Sequence, residues 1–172
     1  MKRLSVFLAA LVVLAASCSK ANPVAPADDN HVQFTVQLLP SSEVPLVTNA
    51  DAAGRGTAII DFNLTKDSAG TTTAVTVDYR VALSGFPPTT ALTAAHIHSG
   101  VAGVAGPTLQ PSLISSGEVV FTNGVANFSR LNITTISAAN AQAIINNPAG
   151  FYFNVHSAAN PPGVARGQLV KQ

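Results

Sequence analysis

The chain has 172 residues, of which 47% are hydrophobic and only 10% charged, with a formal charge of +1. So few charges and no basic run exclude a nucleic-acid surface. Cys18 is the one cysteine, so the folded part has no internal disulfide and is held by packing alone.

Met1-Lys2-Arg3 is basic and Leu4 to Ala16 is almost wholly apolar. That run is too short to span a bilayer and suits the core of a signal peptide. It ends in Ala15-Ala16-Ser17 before Cys18, which resembles the lipobox of bacterial lipoproteins, with Ala15 where leucine is commoner. The resemblance implies removal of residues 1–17 and lipidation of Cys18, so that the membrane is a partner through the anchor. Ser19 and Lys20 follow without an aspartate. By resemblance to Gram-negative lipoproteins, this implies an outer-membrane protein facing the periplasm or the cell surface. Loss of Lys2 and Arg3 takes the formal charge from +1 to −1. Residues 18–30 are rich in Ala, Pro, Asn and Asp without periodicity, and read as a flexible tether.

Residues 31–172 suit one domain. Val32, Phe34, Val36 and Leu38 alternate with His31, Gln33, Thr35 and Gln37; Ala58, Ile60, Phe62 and Leu64 alternate in the same way; Val75 to Leu83 repeats the pattern. A period of two predicts half-buried strands. Leu92 to His98 is a fourth strand. Glu118 to Thr122 and Val125 to Leu131 flank Asn123-Gly124, a two-residue hairpin signal. Ser137 caps a predicted helix through Asn147, with Ile136, Ala139, Ala143 and Ile144 as its apolar side. Phe151 to His156 and Val164 to Val170 complete eight strands. The fold class is all-β, an antiparallel sandwich or barrel with one short helix.

His96 and His98 are two residues apart, so on a strand both point to one face. Tyr152, Asn154 and His156 share a face opposite Phe151, Phe153 and Val155. If the strands are neighbours, three imidazoles converge, and three nitrogens hold copper or zinc. A trigonal set suits Cu(I); with a water it suits Zn or Cu(II). The other reading is a polar network that fixes loops, with Glu43 paired to Arg166. His31 is set aside as a ligand because it begins a strand opposite Val32 and Phe34. Ser99 and Ser157 have no triad partners, and no paired carboxylates suit glycoside hydrolysis. Gly100-x-x-Gly103-x-x-Gly106 has no helix after it and reads as a loop. The segment from Ser99 to Ser116, free of charge and rich in Gly and Pro, is the expected contact surface for a protein or glycan partner.

These pieces, in order, resemble the chordin-type (CHRD) domain. They are Phe34-Thr35-Val36-Gln37-Leu38, Glu43-Val44-Pro45, Gly56-Thr57-Ala58, Ala95-His96-Ile97-His98-Ser99-Gly100, Gly103-Val104-Ala105-Gly106-Pro107, Tyr152-Phe153-Asn154-Val155-His156-Ser157 and Asn160 to Leu169. That family occurs in bacterial secreted proteins and in animal chordins, extracellular antagonists of growth factors. The resemblance implies an extracytoplasmic domain with a non-enzymatic binding or structural role.

A more distant resemblance is to copper/zinc superoxide dismutase, a Greek-key β-sandwich with a His-x-His strand and a late Val-His strand. It implies His96, His98 and His156 as copper ligands, redox activity and Arg166 as an anion guide. The departure is large: residues 99–116 hold no His, Asp, Glu or Cys for the zinc half of that enzyme's site.

Overall fold

The computed structural model describes residues 29–172. Cys18, the signal segment and most of the expected tether lie outside the described residues. The strands are β1 (His31–Leu38), β2 (Arg55–Lys66), β3 (Thr72–Ser84), β4 (Leu92–Ser99), β5 (Val125–Ile133), β6 (Phe151–Ser157), β7 (Ala165–Gln168) and β8 (Val170–Lys171), with helix α1 (Ala138–Asn146). They form a five-stranded sheet in the order β5-β3-β2-β1-β8 and a three-stranded sheet in the order β4-β6-β7. Every strand pairing is antiparallel. The architecture is the expected sandwich, not a closed barrel.

The period-two pattern sets the register. Phe34 pairs with Ile60, Ile60 with Tyr79, and Val81 with Phe128, so the large apolar side chains of four strands line one face. The three-stranded sheet offers Ile97, Phe153 and Val155 to that face, and all three are buried. Across the gap the rings of Tyr79 and Phe153 stack at 6.0 Å. The Tyr79 hydroxyl, carried into this apolar layer, donates to Gln110 Oε1 at 2.8 Å. With no disulfide, burial of this two-sided core supplies the stabilisation, at roughly 1.5–3 kcal/mol for each large side chain.

Three sequence expectations change. Asn123 and Gly124, both at positive φ, do make the tight turn, with reciprocal Thr122–Val125 backbone bonds of 2.9 and 3.0 Å. But residues 118–122 form no strand: beyond the Thr122–Val125 bridge, Val120 pairs with Ala91 instead, which draws the segment away from β5. They touch β-structure only through single bridges, and Phe121 turns inward onto Phe86 at 5.1 Å. The last predicted strand is two: β7 belongs to one sheet and β8 to the other, with buried Leu169 at the crossing. Helix α1 is capped by Ser137, whose side chain accepts from the Asn140 N–H, but it buries Ala141 and Ile144 while Ala139 and Ala143 face out. Turning that way also packs Ile145 against the core, which removes more apolar surface from water than two alanines would.

The free edge of β4 is covered. The N–H groups of Leu109, Leu113 and Gly117 donate to the carbonyls of Ile97, Ala95 and Leu92, and Ser99 donates to Pro107. Residues 107–117 are thus a structural cover, with Gln110, Leu113 and Ile114 buried. Of the expected contact segment, only the turn near Val101 and Val104 keeps large apolar side chains exposed.

Candidate metal centre

The outward face of the three-stranded sheet carries His96, Asn154 and Arg166 in one row across β4, β6 and β7, and His98, Tyr152 and Gln168 in the next. His156 follows, opposite Ala94. This polar face is not open to water. Residues 100–106, the Pro161-Pro162 turn and Glu43 after β1 fold over it, leaving His98, Asn154, His156 and Arg166 buried. The alternation of the strands selects the face, and the loops convert it into a second, polar interior.

The three histidines converge. One nitrogen from each lies within 4.8 Å of the others. His96 Nδ1 and His156 Nε2 are 3.2 Å apart. A metal at about 2.0–2.1 Å from each imidazole would space the nitrogens at roughly 3.5 Å. One pair, at 3.2 Å, is already near that spacing, and the others, within 4.8 Å, need a closure of about 1.3 Å at most. The orientation is fixed from behind. His98 Nδ1 lies 2.9 Å from the Gly106 carbonyl and His156 Nδ1 lies 2.8 Å from the Pro161 carbonyl. A carbonyl only accepts, so each Nδ1 carries the proton and each Nε2 is left as an acceptor: His98 Nε2 has no partner, and His156 Nε2 accepts from His96 Nδ1. This is the outer-layer arrangement that orients imidazoles for a metal.

Electrostatics keep the three rings neutral. Burial, then the neighbouring His156 and His98, push His96 down to about 4. Burial also lowers His98 against the opposing Gly106 carbonyl, and lowers His156 against the Pro161 carbonyl. Neutral imidazole is the ligating form.

A family model for the CHRD domain matches residues 34–169. The chain belongs to the CHRD domain family. No curated protein and no solved structure matches it, so the likeness to superoxide dismutase rests on motifs alone. The matched span of this CHRD domain holds all three histidines, Glu43 and Arg166.

Two expected roles change with burial. Arg166 is 1% exposed, so it offers no charge to an incoming anion. Its Nη2 donates to the carbonyls of Val101 and Val104 at 2.8 and 2.9 Å, and its guanidinium carbon sits 3.4 Å from the centre of the Tyr152 ring. Arg166 thereby holds the 101–104 turn over the sheet. Glu43 is also buried, and Arg166 acts on it through charge, but the two make no contact ion pair. Burial pushes the Glu43 carboxyl up to about 7 against the pull of Arg166, the Asn154 side chain and the Val44 N–H. His31 stands apart as expected, on the outer face of the other sheet, 3.2 Å from Asp61 Oδ1.

Sequence reasoning missed Tyr152 and Asn154 as members of the site. Tyr152 stacks on His98 at 4.7 Å with the planes 11° apart, and its hydroxyl accepts from the Gly106 N–H at 3.3 Å. Their place on the His156 face was a legible signal. The carbonyls of Gly106 and Pro161 were not, since main-chain acceptors leave no mark in a sequence.

Proposed function

We propose that this CHRD domain is a non-enzymatic metal-binding module of the cell envelope, holding one copper or zinc ion on His96, His98 and His156. The observation that carries the reading is the convergence of three neutral imidazoles, two of them locked by backbone carbonyls so that Nε2 is the acceptor turned to the others. A copper or zinc ion would supply a Lewis-acidic or redox centre at this point. The protein's part is to orient the imidazoles and keep bulk water from His98 and His156. The test is metal content of the chain purified without a polyhistidine tag and challenged with copper and zinc. One equivalent, lost in His156→Ala with the fold intact, supports the reading; no binding above background overturns it.

The lipobox-like segment supports a lipoprotein anchored through Cys18 in the outer membrane. Cys18→Ala should move the protein from the membrane to the soluble fraction, and unchanged fractionation would overturn the anchor.

A second reading is a binding role toward a protein or glycan. It is favoured by the 101–104 turn, where Val101 and Val104 remain more than half exposed while Arg166 holds the backbone beneath them. Val101→Ser with Val104→Ser should leave the fold intact and abolish capture of such a partner. Undiminished capture would exclude this turn as the surface.

A further inference from the structure

Among the described residues, four buried side-chain atoms make no hydrogen bond: Glu43 Oε1, His98 Nε2, Asn154 Oδ1 and Gln110 Nε2. Three of the four belong to one place. Asn154 lies opposite His96 in the sheet, and its side chain acts on both His98 and Glu43. All three atoms are acceptors. Asn154 Oδ1 is so by nature, Glu43 Oε1 in the ionised acid, and His98 Nε2 because its other nitrogen carries the proton for Gly106. Buried acceptors without a donor are rare and mark a missing cation or proton donor.

The charge points the same way. Three neutral imidazoles leave the full charge of a bound ion uncompensated, and the Arg166 guanidinium nearby adds to it. Of the other buried carboxylates, Asp51 is held by Thr90 and Asn160, and Asp61 by Gln33 and Arg80. Among the described buried carboxylates, Glu43 alone has an oxygen without a hydrogen bond. Its carboxylate lies flat on Gly163, where a Cβ would stand 2.4 Å from each oxygen. The absence of a side chain at Gly163 is what admits this acid beside the metal centre.

We propose that Glu43, acting across Asn154, is the counter-charge of the metal centre, and that it makes the centre one for a divalent ion rather than a monovalent one. The proposal rests on the metal reading above. The attraction between Glu43 and a bound ion scales with the ion's charge, so removing one negative charge weakens a divalent ion more than a monovalent one.

The test is competition titration of the full chain and of Glu43→Gln with Zn(II), and with Cu(I) under anaerobic reducing conditions. The variant should lose about tenfold in Zn(II) affinity while Cu(I) affinity stays within about threefold, since the attraction of one partly screened charge is halved for the singly charged ion. Equal losses for both ions with the fold intact, or no loss for either, would overturn the proposal. If Glu43→Gln does not fold, Asn154→Asp decides: an added negative charge on the same wall should tighten Zn(II) relative to Cu(I), and an unchanged ratio would overturn it. A wild-type chain that binds neither ion fails the metal reading itself, which separates the two failures.

Discussion

Tyr152 lies between His98 of β4 and Arg166 of β7, stacked on the imidazole at 4.7 Å and covered by the guanidinium at 3.4 Å. One ring thus joins a candidate ligand to the residue that clamps the 101–104 turn. Removing it should loosen both. Tyr152→Leu is expected to cost about 2–4 kcal/mol, from lost volume and a lost cation–π contact in a buried place. It should also speed amide exchange in residues 100–106. Tyr152→Phe keeps the ring and loses only the hydroxyl contact to Gly106, at about 0.5–1.5 kcal/mol. Hydrogen exchange on both variants checks this, and equal exchange in the 100–106 segment of all three chains would refute the coupling.

Metal uptake should be insensitive to pH above neutrality. The three imidazoles are all lowered from the ordinary 6.5, His96 to about 4, so at pH 7 they carry no proton for a metal to displace. In the Glu43→Gln chain, affinity should hold from pH 8 down past 6.5 and fall only as the medium becomes clearly acidic, whereas in the wild type protonation of Glu43 near 7 adds an earlier, shallow fall. Zinc competition titrations at stepped pH measure it; a steep fall centred on pH 6.5 or above would contradict the burial of the rings.

Glu43 makes the metal-free domain less stable as pH rises. Its folded value, about 7, lies above the ordinary 4.5. The stabilisation from the protonated acid is therefore full below about pH 4.5 and is lost as pH rises through 7. Glu43→Gln keeps the uncharged form throughout. In chelator, the variant should gain on the wild type between pH 5 and 8 by on the order of 2 to 3 kcal/mol, since each tenfold difference in proton affinity between folded and unfolded chain is worth about 1.4 kcal/mol. The histidines act oppositely, but in both chains alike, so they cancel in the difference. Urea midpoints at the two pH values decide it, and a difference that does not move with pH would exclude Glu43 as the cause.

Gly167 marks where β7 crosses β1. A Cβ there would stand 2.0 Å from the Gln37 carbonyl oxygen, a main-chain atom of β1. Neither backbone yields without breaking a sheet. Gly167→Ala should lose about 3 kcal/mol or more, at the upper end for overpacking, while Gly70→Ala, in open space but at positive φ, loses only about 1 kcal/mol. Thermal melts of the pair check the contrast.

The sequence made the strands legible wherever one face met the core and the other met water, as along Val32 to Leu38 and Val75 to Leu83. It made the histidine face legible too, since alternation puts His96 and His98 on one side of Ile97. It failed where tertiary partners decide. Residues 118–122 carry strand propensity, yet Val120 bridges Ala91 and Phe121 packs on Phe86, which takes the segment away from β5. Val164 to Val170 reads as one strand because nothing local records a change of sheet at Leu169. The burial of Arg166 was hidden for the same reason: its partners are carbonyls of Val101 and Val104, more than sixty residues earlier.

The cover over β4 has a consequence for the protein's life in solution. A bare strand edge is a template on which another chain can pair, and repetition of that pairing builds fibrils. Residues 107–117 occupy the edge next to Ile97 and Ala95, among the most apolar stretches of the second sheet. A chain trimmed or mutated there would lose more than local order: its first defect would be self-association, seen as concentration-dependent aggregation before any loss of secondary structure.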